Sequence, residues 1–118
     1  MKRGTTRHPK KKLLAKLLGL PLFGAVGIME MLWHYVAEFT PHGDIGRVSD
    51  EDIAEAVCWK RKNPSQLIDA LVQSRWLETD TTHRLIVHDW EHHADQAVQR
   101  KVARTGRPFV KPSTNRSL

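Results

Sequence analysis

Three consecutive cations, Lys60, Arg61 and Lys62, stand directly before Asn63-Pro64-Ser65-Gln66. The second stretch has the residue types of a helix start: a capping side chain, a first-turn proline and a glutamine at the third helical position. Cations in the turn before a helix can hold backbone phosphates. Glutamines on the outer side of such a helix, here Gln66 and Gln73, can bond adenine through two hydrogen bonds. Ser65 and Asp69 share that side, and Asp69 sits awkwardly beside phosphates. Arg7, Lys10, Lys11 and Lys12 near the start of the chain, and Arg100, Lys101, Arg104 and Arg107 near its end, are further candidate phosphate contacts. Arg84, next to a turn, is another. Six neutralised phosphates would make log K fall with log salt at a slope of about −5.

A second cluster, His88, Asp89, Glu91, His92, His93 and Asp95, has side chains that ligate metals. Its spacing does not make a site, because no His-Glu-x-x-His pattern occurs and no second ligand group lies elsewhere. Asp89 reads as a helix N-cap and the others as solvated side chains. Nucleophile motifs, a phosphate-cradling glycine loop and paired carboxylates in a cleft are all missing from the sequence. The expectation is therefore a binding protein, not an enzyme, without metal or cofactor. Trp59 beside the three cations has the chemistry to stack on a base. Like Trp33, Trp76 and Trp90, it is read first as a core anchor.

Charge is segregated along the 118 residues. Seven Lys or Arg precede residue 17 and six follow residue 99, with no acid in either segment. The middle holds six cations and all 13 acids, a net of −7, whereas the whole chain is +6. An acidic body with two basic ends favours a polyanion partner and argues against a protein basic throughout. The single cysteine, Cys58, excludes an internal disulfide and fits a cytoplasmic location. The uncharged run from Leu17 to Met29 is too short to span a bilayer, and its helical pattern continues through Glu30, His34 and Glu38. No membrane partner is expected.

The elements that must position these residues follow from periodicity and punctuation. Residues 1–9 read as a basic flexible arm. Residues 10–18 form a short helix with Leu13, Leu14, Leu17 and Leu18 on one face and Lys10, Lys11, Lys12 and Lys16 towards the other. Gly19 ends it. A longer helix from Pro21 to Phe39 is apolar almost all round and serves as the central pillar; Gly24 and Gly27 are expected to permit close helix packing. Asp44 to Arg47 is expected as a minimal strand. Ser49, with Asp52 three residues on, caps a helix that Cys58-Trp59 interrupts. A helix over 64–75 puts Leu67, Ile68, Leu71 and Val72 inside. Strands over 76–79 and 84–88 flank a turn at 80–83. A last helix from Asp89 or Trp90 carries Ala94, Ala97, Val98 and Val102 inward and stops at Gly106. Residues 107–118 read as a basic disordered tail.

A helix pair over 49–75 followed by a hairpin is the order of a winged helix-turn-helix. The expected class is thus mainly α with a small β-hairpin, a single domain over 10–106 with an extra N-terminal and a C-terminal helix. Gly43-Asp44-Ile45-Gly46-Arg47 with Ser49-Asp50-Glu51-Asp52-Ile53-Ala54, then Leu67 to Trp76-Leu77, and Leu85-Ile86-Val87-His88-Asp89-Trp90 resemble the N-terminal winged-helix domain of phage replisome organisers and DnaD-like replication initiation proteins. That resemblance covers roughly residues 7 to 104. It implies binding of origin or single-stranded DNA and work with a replicative helicase or helicase loader. In many members it also implies a further C-terminal domain. Two functional expectations stand beside each other. One is DNA binding by a phage- or prophage-type replication or regulatory protein. The other is a protein-interaction or homo-oligomerisation module of a replication complex with little DNA affinity.

Overall fold

The computed structural model describes residues 9–60 and 63–111. The arm residue Arg7, the turn residues Arg61 and Lys62, and the last seven residues lie outside the described residues. Helix α1 spans Pro9–Leu18 and α2 spans Leu22–Phe39. The two meet at a bend of 104°, where Gly19 takes a left-handed φ of 68°. That conformation is cheap only for glycine. Among the described residues no single helix is long and apolar enough to cross a membrane.

The helix pair comes next, α3 (Asp50–Ala56) and α4 (Pro64–Gln73). Ser49 caps α3 as its spacing predicts, its Oγ accepting from the Asp52 amide at 3.1 Å. Asn63 does not cap α4 through its side chain. Its backbone is left-handed at φ 108°, and its Oδ1 instead accepts from the Ser65 hydroxyl at 2.6 Å. Pro64 still starts the helix, where a missing N–H costs nothing. Strands β1 (Leu77–Asp80) and β2 (Arg84–Val87) pair antiparallel, with Leu77 opposite Val87 and Asp80 opposite Arg84. The chain is therefore mainly helical, with one two-stranded hairpin after the helix pair.

Two elements differ from expectation. Residues Ile45–Arg47 form a single 3-10 turn, not a strand. They still lie against β2: the Val87 amide donates to the Gly43 carbonyl at 3.0 Å. Gly46 comes so near the hairpin that a Cβ there would collide with the His83 carbonyl and the Leu85 amide. Only glycine allows so close an approach of this turn to the hairpin backbone. The expected last helix is two, α5 (Trp90–His93) and α6 (Gln96–Thr105). Ala94 is extended between them, and Asp95 caps α6 by accepting from the Val98 amide at 3.0 Å. Asp89 makes no capping bond; it sits left-handed at φ 54°. Ala94, Val98 and Val102 are buried as expected, whereas Ala97, about 100° round α6 from Val98, is exposed.

The core gathers one face of every helix. Leu14 and Leu18 of α1, Met29, Leu32 and Val36 of α2, Ile53 of α3, Leu67 and Leu71 of α4 and Leu77 of β1 are all fully buried. Trp59, Trp76 and Trp90 are also buried, and the Trp90 indole N–H donates to the Pro41 carbonyl at 2.8 Å. Phe39, expected in the pillar's apolar surround, is 60% exposed. Residues 107–111, expected in the tail, run back along the body. The Val110 amide donates to the His42 carbonyl at 2.8 Å, Lys111 pairs with Glu91 at 2.5 Å, and Phe109 packs against the core.

Candidate nucleic-acid interface

α4 is the second helix of the pair, the position that enters a groove in proteins of this architecture. Leu67, Ile68, Ala70 and Leu71 fix it to the core, so Ser65, Gln66, Asp69 and Gln73 turn outward as one polar face. Helix α1 lies beside it and runs the opposite way. Leu17 borders a shallow hollow with Gln66, Asp69 and Gln73, while Lys10 at the other end of α1 reaches Trp76 just past the end of α4. Lys12 and Lys16 are exposed on the solvent side of α1. Arg75, in a left-handed conformation at φ 68° immediately after α4, is exposed as well. It was not a sequence candidate, because a lone cation between a helix and a strand gives no motif.

Several expected contacts are used inside the protein. Lys11 is only 3% exposed, with its ammonium 5.5 Å from the centre of the Trp33 ring. The Lys10 ammonium stands 4.2 Å over Trp76. Loss of hydration, followed by Arg75 nearby, lowers its pKa from the usual 10.5, while Asp89 and Glu78 oppose the shift. A helix face judged polar by side-chain type thus includes two lysines whose stems and charges lie over indole rings. Arg84 is not a free wing cation. Its guanidinium donates to the Gly46 carbonyl at 3.1 Å, the Val48 carbonyl at 2.6 Å and the Asp50 carboxylate at 2.9 Å. Lys101 donates to the Glu38 carbonyl at 3.1 Å, closing the end of α2. Lys60 is exposed and stands at the rim of a trough on α2.

Arg100 and Arg104 face solvent on α6, and Arg107 follows them, also exposed. The acids gather elsewhere, with Asp50, Glu51 and Asp52 all in the first turn of α3, where they complement the helix dipole. At the hairpin tip the Asp80 carboxylate accepts from the Thr82 and His83 amides at 3.1 and 2.9 Å and from the His83 ring. The turn is thereby fixed, but Thr81 to His83 bring no Lys or Arg to the tip.

The histidine-rich stretch disperses. His88 bonds Glu78 at 2.6 Å. His93 stacks on Trp33 with ring centres 5.0 Å apart. Among the described residues no three His, Cys, Asp or Glu side chains come together so as to hold a metal ion. Comparison with known proteins finds no matching family model, no curated relative and no solved structure of similar fold.

Proposed function

We propose that the chain is a DNA-binding winged helix-turn-helix protein acting in the cytoplasm, in replication initiation or its regulation. The carrying observation is the outward polar face of α4, with exposed Arg75 just past its end and α1, which bears the exposed Lys12 and Lys16, packed beside it. Gln66 and Gln73 have the donors and acceptors to read base edges. Lys12, Lys16 and Arg75 have the charge to hold phosphates. Asp69 disfavours an approach centred on its own carboxylate and biases the helix to enter with Gln66 and Gln73 foremost. The role in replication rests on the resemblance of residues 7–104 to replisome-organiser domains.

Fluorescence anisotropy with single- and double-stranded DNA tests this reading. The paired substitution Lys12→Glu/Lys16→Glu and the single Arg75→Glu are each expected to weaken binding at least tenfold. Gln66→Ala with Gln73→Ala is expected to reduce discrimination between sequences more than overall affinity. Unchanged affinity in the lysine and arginine variants would sink the assignment of this face.

A further inference from the structure

Helix α2 carries an apolar trough on a side that no described element covers. Phe23 is 80% exposed there and Met31 43% exposed. Gly24 and Gly27 lie between them. A Cβ at Gly27 would meet nothing within 4 Å, and one at Gly24 would touch only Leu20 and Pro21. These glycines therefore do not serve close packing within the chain, as the sequence suggested. They leave a recess, whose far wall is formed by Val57, Trp59 and Lys60. A protruding phenyl ring and a glycine-floored hollow thus sit four residues apart on one helix face.

A knob beside a hole on one surface is self-complementary under a twofold axis. We propose that a second copy of the chain docks in this trough, with the two α2 helices antiparallel and the twofold axis between Phe23 and Gly27. Phe23 of each copy then enters the recess at Gly27 of the other. The charges select the same orientation. Asn63 borders Leu17, close in sequence to Leu20 at the Phe23 end of the trough. Lys60, three residues before Asn63, stands towards that end, and Glu30 is exposed beside Met31. Antiparallel docking brings Lys60 of each copy to Glu30 of the other, whereas parallel docking would oppose like charges. A phenyl ring in an apolar recess supplies the buried anchor that interfaces depend on.

Sedimentation velocity of the full chain, without nucleic acid and over a wide range of protein concentration, measures this association directly. The unaltered protein is expected to form a concentration-dependent dimer. Phe23→Glu and Gly27→Leu should both be monomeric where the parent protein is dimeric. Both sites are open, and leucine favours a helix more than glycine does, so folding is retained and is checked by circular dichroism. Lys60→Glu and Glu30→Lys should each weaken the dimer, and the two together should restore it. A monomer at every concentration, a dimer indifferent to Gly27→Leu, or a double charge reversal no tighter than either single one would each overturn the proposal. Because no DNA is present, the outcome is independent of the nucleic-acid reading.

Discussion

Arg84 shows how a residue with obvious chemistry can be committed elsewhere. Its backbone is left-handed at φ 68°, and its planar fork ties β2 to the turn at Gly46 and Val48 and to the start of α3 at Asp50. Arg84→Ala removes three donors from partly exposed acceptors. It is expected to cost about 1–2 kcal/mol in denaturant unfolding while leaving DNA affinity unchanged. Lysine restores only part, since a point charge cannot replace the fork. The same scale governs pH. The His42 ring bonds the Thr105 hydroxyl at 2.9 Å, and its pKa lies below 6.5, chiefly through burial and next through Arg107. The His93 pKa is also below 6.5, through burial first and Lys10 second. For both rings the unfolded chain takes up the proton more readily, so their contribution to stability is present above about pH 6.5 and lost as pH falls below it. Thermal unfolding from about pH 7 to about pH 5 should show this loss, and His42→Gln/His93→Gln should flatten it. A profile equally steep in the double variant would refute the assignment.

At the level of elements, the break at Ala94–Asp95 gives α6 a start of its own. Along it Val98 and Val102 are buried, while Ala97, Arg100 and Arg104 face solvent. Asp95 sets that break by capping Val98. Asp95→Ala should cost about 1 kcal/mol and speed amide exchange along α6. Asp89→Asn should change both little, because Asp89 makes no cap bond and asparagine accepts its left-handed backbone. Both positions have capping chemistry in the sequence. Only one has the extended backbone that aims a carboxylate at the amides two and three residues on. Trp90, between the two aspartates, is anchored on Pro41, far away in sequence.

For the whole molecule, folding alters the charge segregation seen in the sequence. Lys10, Lys11, Arg84 and Lys101 turn inward or bind the body, and Lys111 pairs with Glu91. Lys12 and Lys16 on α1 and Arg75 just past α4 remain exposed. With one phosphate neutralised by each of these three, log K should fall with log salt at a slope of about −3, shallower than the −5 or so of six contacts. Titration at several salt concentrations measures it, and Lys12→Glu/Lys16→Glu should reduce the steepness by about 2. A slope near zero would exclude phosphate contact as the main source of affinity.

The fold class was legible because local rules and the global result agree. Helix periodicity, Gly19 and Gly106 as terminators, Ser49 as a cap and the two short β-rich runs all act over a few residues, and each is realised. The candidate face was only partly legible. Residue type marks a lysine as able to meet a phosphate, but whether it does depends on which side of its helix is covered. For Lys10 and Lys11 the covering groups are Trp76 and Trp33, 66 and 22 residues away. The trough at Phe23 and Gly27 is a feature of the same kind. Glycine in a helix serves close packing or leaves a recess according to what lies opposite, and that neighbour is fixed by tertiary packing alone.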